Sequence, residues 1–233
     1  AFEQEYLGNP VIKNWYHNKL EHLKKANLLL AISSFTKEEG IQYLKRSDDS
    51  IVNISSASTS LPPARKEKND SLLAKLNIQT DIILYCGGSD PRKTLTRLLS
   101  AYAALKPNTR ERYQLVLAGK MPSQSVFDLK QHAKTLFLNE HDIIFTGYLS
   151  DGDLFSLYNQ ALGFVFPSYC EGFGLPALEA MMFDLPVIGS NVSSIPEVIG
   201  NPEAMFDPFS IASISQLMAR LIEDETFRAD LTT

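Results

Sequence analysis

The sequence predicts an α/β fold: a parallel sheet flanked by helices, preceded by a smaller strand–helix–strand segment. Three observations carry this expectation. From about Ser71 onward, short apolar runs alternate with helical patterns, the mark of βαβ units. Glycines recur directly after the strand candidates, at Gly87, Gly88, Gly119, Gly147, Gly172 and Gly174. Between Ser55 and Asp70 the chain turns to serine, proline and alternating charge, which marks a linker.

Taken in order, Val11, Ile12, Trp15, Tyr16, Leu20 and Leu23 fall near helical spacing and predict a helix from about Val11 to Ala26. Leu28 to Ile32 reads as a strand. Ser34 is the expected cap of a helix over Phe35 to Leu44, and Ile51 to Ile54 as another short strand. This unit is too small for a whole α/β domain and reads as the end of one. The expected boundaries are therefore 1–57 for that tail, 58–70 for the linker and 71–233 for a C-terminal domain. In the latter, strands are expected at Ile82–Cys86, Gln114–Ala118, Asp142–Thr146, Leu162–Phe166, Pro186–Gly189 and Ala204–Phe206. Helices are expected at about 91–105, 123–138, 151–160, 175–183, 194–199 and 210–223. Ligands of such sheets bind at the carboxyl ends of the strands, near the point where strand order reverses.

Composition narrows the function classes. The chain has 233 residues, 44% hydrophobic and 21% charged, so it is expected to be globular. A formal net charge of −5 argues against a nucleic-acid binder that neutralises phosphates broadly. Cys86 and Cys170 are far apart and form no CxxC, so each is expected to act as a small apolar residue near a strand end. No apolar run approaches the ~18–20 residues of a membrane span, and no signal peptide is visible, so a cytoplasmic location is expected. Ala1 is not an initiator methionine, which suggests that the true N-terminus is missing. His17, His22, His132 and His141 share no ligand spacing, and no metal site is expected. Asp151 and Asp153 form a D-x-D, but after Ser150 they read as a helix cap with its first turn.

The most informative stretch runs from Pro167 to Glu179. A strand feeds a small glycine turn, which feeds a helix with Pro176 in its first turn. Gly172 and Gly174 allow close approach of a ligand to the backbone, and a helix N-terminus attracts anions. Glu171 and Glu179 flank the turn; they suit hydroxyls on both sides of a diphosphate, the shape of a nucleotide sugar. Taken alone, Glu171 also fits an exposed loop acid. A second loop, Cys86 to Thr94, has Asp90 as an expected cap and Pro91 as first helical residue. Lys93 then falls in a first helical turn, where the macrodipole disfavours a cation by up to ~1 kcal/mol; bound phosphate would compensate, and a solvated lysine is the alternative. Arg92 is expected to face solvent.

Glu171-Gly-Phe-Gly-Leu-Pro-Ala-Leu-Glu179 resembles the E-x7-E motif of retaining GT-B glycosyltransferases, most closely glycosyltransferase family 4. Gly87-Gly-Ser-Asp-Pro-Arg-Lys-Thr94, Leu115–Gly119, Phe145–Leu149, Phe166–Ser168, Ile195–Gly200 and Asp207-Pro208 are similar to the same family in the same order. The resemblance covers 71–230 in detail and 1–60 loosely. It implies that the sheet is the Rossmann-like C-terminal domain of a GT-B fold, which binds a nucleotide sugar. It implies that Glu171 and the amides of Gly172, Phe173, Gly174 and Leu175 hold the donor sugar, and that Lys93 holds the diphosphate. Glu179 would hold the ribose, and backbone around Tyr148 and Leu149 would meet the base. Glu171 and Lys93 are the residues it places at the catalytic centre. No metal and no cofactor are implied; the nucleotide sugar is a substrate.

Two departures stand out. The family often carries an arginine five residues before the lysine, where this chain has Gly88, so Arg92 joins the expected diphosphate site. This variant resembles bacterial mannosyltransferases of surface-polysaccharide assembly, which favours GDP-mannose as donor, with a UDP-sugar as alternative. The acceptor implied is a glycan or lipid-linked glycan, and a lipid-linked one would place the full enzyme at the inner face of the cytoplasmic membrane. The second departure is truncation at both ends, which implies a chain that binds donor but transfers sugar poorly by itself. A non-catalytic nucleotide-binding module is a further reading. An NAD-dependent dehydrogenase is disfavoured, because Cys86-Gly-Gly-Ser-Asp-Pro91 does not supply G-x-G-x-x-G.

Overall fold

The computed structural model describes residues 8–58 and 69–232, and the chain divides into two compact units, 1–56 and 57–233. Of the expected linker, residues 59–68 lie outside the described residues. Asn69 and Asp70 belong instead to a helix start, α3 (Asp70–Lys75), where the Asn69 side chain accepts from the Leu72 amide.

In the first unit, α1 (Pro10–Lys25) opens behind Asn9, whose side chain accepts from the Val11 amide. Strands β1 (Leu29–Ala31) and β2 (Ile51–Asn53) pair in parallel, with α2 (Ser34–Leu44) between them. The cap of α2 is Ser33, not Ser34: its Oγ accepts the Thr36 amide at 3.0 Å. Two adjacent serines offer the same chemistry, and the extended backbone of Ser33 decides between them.

The second unit is a six-stranded parallel sheet. Its strands are β3 (Asp81–Cys86), β4 (Tyr113–Ala118), β5 (Ile143–Gly147), β6 (Gly163–Phe166), β7 (Val187–Ser190) and β8 (Met205–Phe206). Every pairing is parallel and the order is β5-β4-β3-β6-β7-β8. Strands buried on both faces read as continuous apolar runs, and β4, β6 and β7 are buried at every residue. Strand order reverses between β3 and β6, so the crevice at their carboxyl ends is where a ligand is expected.

The helices are α4 (Leu95–Ala103), α5 (Pro107–Arg110), α6 (Ser123–Thr135), α7 (Asp151–Gln160), α8 (Leu175–Met182), α9 (Ile195–Ile199), α10 (Ile211–Glu223) and α11 (Glu225–Asp230). Ser150 caps α7, as expected, by accepting the Asp153 amide at 3.2 Å. On α10, Ile214, Met218, Leu221 and Ile222 recur at helical spacing and are buried against the core.

Two expected helices are shorter in the structure. The one expected over 123–138 ends at Thr135, because Phe137 adopts a φ of 57° and the Leu138 amide closes back onto the Ala133 carbonyl. That closure buries Leu138 and leaves Phe137 in solvent. The one expected over 91–105 is broken: Pro91–Lys93 is a single 3-10 turn, and Thr94 sits in the left-handed region at φ 51° before α4 begins. A β-branched residue is rarely found there. Thr94 is held by its own hydroxyl, which donates to the Pro167 carbonyl at 2.6 Å.

Candidate functional site

That break aims Lys93. It lies in the 3-10 turn after β3, not in the first turn of a longer helix, and its side chain is 9% exposed. Asp90 caps the turn as expected by accepting the Arg92 amide at 3.2 Å. Lys93 Nζ donates to Glu171 Oε1, in the loop that follows β6, and stands 5.2 Å from the centre of the Phe166 ring. Arg92 does not simply face solvent: its Nη1 donates to Glu171 Oε2 at 2.6 Å and to the Cys170 carbonyl at 2.8 Å. The Glu171 side chain is 10% exposed, so it is not an exposed loop acid. One carboxylate is thus gripped by two cations, with Asp90 at the rim, 3.5 Å from Arg92 Nε.

The two loops that carry these groups are braced to each other. The Tyr169 amide donates to the Arg92 carbonyl at 2.9 Å, beside the bond from Thr94 to Pro167. Within the first loop, the Tyr85 hydroxyl donates to the Gly88 carbonyl at 2.7 Å. Gly119, at the end of β4, has φ 130°, and a Cβ there would lie 2.3 Å from the Gly87 carbonyl oxygen. Only glycine lets the β3 and β4 ends approach this closely.

A third loop, after β7, fixes the glycine turn. Ser193 Oγ accepts the Glu171 amide and donates to the Glu171 carbonyl, both at 2.7 Å. The buried Ser194 hydroxyl donates to the Phe173 carbonyl at 2.8 Å and stands 3.1 Å from the Glu171 carbonyl. In sequence, Ser193 and Ser194 look only like a helix start; their work at the turn depends on contacts about twenty residues away in the chain. The Phe173 ring is buried, so its backbone is what the turn presents. Gly174 caps α8 at φ 117° with no side-chain cap, and Leu175, 39% exposed, begins the helix. An N-terminus left uncapped by side chains suits an anion.

Glu179 lies one turn inside α8 and is half-buried, with its Oε2 3.4 Å from the hydroxyl of the fully buried Tyr158. Burial pushes its carboxyl above the usual range; the Tyr158 hydroxyl opposes this and Asp151 adds to it. Cys86, at the end of β3, neighbours the same Tyr158, and burial raises its thiol to about 11, so it stays protonated at neutral pH. Tyr148 and Leu149 follow β5 at the sheet edge, two strands from β3; Tyr148 is exposed and Leu149 packs against the core. The structure brings Gly88, Arg92, Lys93 and the Glu171–Leu175 turn to one crevice and leaves Tyr148 and Leu149 beyond β4. Among the described residues no three His, Cys, Asp or Glu side chains gather as a metal-binding group, and no helix is long and apolar enough to cross a membrane.

A doubly wound parallel sheet whose cations and uncapped helix meet at the reversal point belongs to the Rossmann-like class of nucleotide-binding folds. The family described as "Glycosyl transferases group 1" matches residues 69–233, and the chain belongs to that family. It is 38% identical over 232 residues, 98% of its length, to the Escherichia coli "Serotype-specific mannosyltransferase WbdA". It is 36% identical over 210 residues to the Escherichia coli "O-antigen chain mannosyltransferase B". The chain spans 28% of the former and 55% of the latter. Among solved structures, Anabaena Alr3699/HepE in complex with UDP and glucose superposes with a TM-score of 0.78 at 19% identity, over 89% of this chain and 56% of that one. The C-terminal domain of a group 1 glycosyl transferase family protein (LpcC) from Francisella tularensis superposes with a TM-score of 0.62 at 25% identity, over 74% of this chain and 90% of that one. The α/β sheet is thus that of GT-B glycosyltransferases.

Proposed function

We propose that this chain is the donor-binding part of a retaining, family 4 glycosyltransferase. It binds a nucleotide sugar whose sugar, mannose, passes to a glycan or lipid-linked glycan acceptor. The observation that carries this reading is the convergence of Lys93 and Arg92 on Glu171 at the point where strand order reverses. In that reading the diphosphate lies against Lys93, Arg92, Gly88 and the start of α8. Glu171, now gripped by the cations, turns to accept hydroxyl hydrogens of the donor sugar once the diphosphate has taken its place. The amides of Gly172 to Leu175 complete that side, and Glu179 accepts from the ribose. A hydrogen bond from a neutral hydroxyl to a carboxylate is worth roughly 1.5–3 kcal/mol.

Mannose as the sugar, and GDP-mannose over a UDP-sugar, is supported by the mannosyltransferase names of the relatives and by Gly88 in the lysine loop. Tyr148 and Leu149 would reach the base from the end of β5, two strands from β3. A lipid-linked acceptor would bring the whole enzyme to the inner face of the cytoplasmic membrane. Calorimetry with GDP-mannose, GDP, UDP-glucose and NAD tests the reading. Binding of a nucleotide sugar with NAD excluded supports it, and failure to bind any nucleotide sugar or nucleoside diphosphate contradicts it.

A further inference from the structure

Asp207-Pro208-Phe209-Ser210 follows β8 as a fixed turn. Asp207 Oδ1 accepts the Phe209 amide at 2.8 Å, the Asp207 carbonyl accepts the Ser210 amide at 3.1 Å, and Ser210 caps α10. This rigid turn holds a large aromatic ring in the open: Phe209 is 55% exposed. Two neighbours complete a small surface. The Tyr169 ring, from the loop after β6, lies 5.6 Å from the Phe209 ring at an interplanar angle of 34°. The Arg97 guanidinium, from α4, lies 5.3 Å from the centre of the same ring. Among the described residues that guanidinium meets no carboxylate, so its five N–H donors are unspent.

This surface is continuous with the crevice, because Tyr169 is two residues from Glu171 and its amide bonds to the Arg92 carbonyl. The core does not need it. An aromatic face presents the negative side of its quadrupole. The natural complement is a ring with one face of C–H groups and a rim of hydroxyls, which an adjacent guanidinium can donate to. We infer that Phe209, Tyr169 and Arg97 form a saccharide subsite that takes a hexopyranose of the acceptor glycan. The inference rests on the glycosyltransferase reading above.

The test is titration of the chain with an α-linked mannotriose, followed by NMR, with nucleoside diphosphate titrated separately. Wild type should bind the saccharide weakly and saturably. F209A and R97Q should each weaken that binding about five-fold and leave nucleotide affinity unchanged, while F209W restores saccharide binding. Saccharide binding that is indifferent to both F209A and R97Q, or absent from a wild-type chain that binds nucleotide, overturns the subsite. Absence of nucleotide binding by wild type overturns the donor reading beneath it instead.

Discussion

Lys93 Nζ meets Glu171 Oε1 although the two residues stand 78 positions apart and leave different strands, β3 and β6. The contact spans the point where the sheet reverses its order. Arg92 holds the other Glu171 oxygen. In the proposed reading the carboxylate fills the place of the donor diphosphate, and donor binding exchanges one anion for another.

Removing the charge of Lys93 tests its part in that exchange. K93M should lower nucleoside diphosphate affinity about ten-fold or more, the scale of one charge-assisted hydrogen bond. Glu171 keeps Arg92, so the loss of stability should stay below the ~3–5 kcal/mol of an orphaned buried charge. Calorimetry and chemical denaturation on the same preparation separate the two effects. Unchanged nucleotide affinity in a folded K93M would place the diphosphate elsewhere.

The serine brace gives a second expectation. S194A leaves the Phe173 carbonyl without its side-chain donor in a buried setting, at a cost of roughly 1–3 kcal/mol. The turn that presents Glu171 should loosen with it, so urea midpoint and nucleotide-sugar affinity should fall together. A fall in stability with affinity intact would make the brace purely structural.

Two glycines in contact with the same loop should respond differently. At Gly119 an added Cβ would meet the Gly87 carbonyl oxygen, on a backbone at φ 130°. G119A should cost upward of ~2 kcal/mol. A Cβ at Gly88 meets nothing within 4 Å, so G88A should change stability by no more than ~0.5 kcal/mol. Any effect of G88A on nucleotide affinity then reports ligand clearance alone. Thermal melts of the two variants check the contrast.

Glu179 predicts a pH dependence. Burial raises its carboxyl above the ordinary value, so the native chain keeps that proton to higher pH than the unfolded chain does. Its contribution to stability is complete below the unfolded carboxylate range and is lost as pH rises through the raised native value. The stability of wild type relative to E179Q should therefore fall with rising pH across that window. Affinity for the nucleoside should move the opposite way, because the ionised carboxylate is the better acceptor for ribose hydroxyls. A wild type that gains stability relative to E179Q as pH rises would contradict the assignment.

Much of the architecture was legible in the sequence. Strands such as β3, β4 and β6 are apolar runs buried on both faces, and they fall within one residue of their expected bounds. The helix over Asp151–Gln160 was readable because Ser150 caps it with its own side chain, a local signal. What was not legible depends on distant contacts. Thr94 breaks the expected helix because its hydroxyl reaches Pro167, and that break turns Lys93 toward Glu171. Arg92 looked like a surface residue because its partners, Cys170 and Glu171, are supplied by another βα loop. Ser193 and Ser194 carried no signal beyond a helix start, since their acceptors belong to the glycine turn after β6.

If the cations hold the diphosphate and Glu171 reads the sugar, E171Q removes a competing anion and a sugar contact at once. The measurement is calorimetry of wild type and E171Q with GDP and with GDP-mannose, repeated with the UDP pair. We expect GDP, or UDP, to bind E171Q at least as tightly as wild type, while the preference for nucleotide sugar over bare nucleotide disappears. Equal weakening of both ligands in E171Q, with the preference intact, would contradict that division of roles.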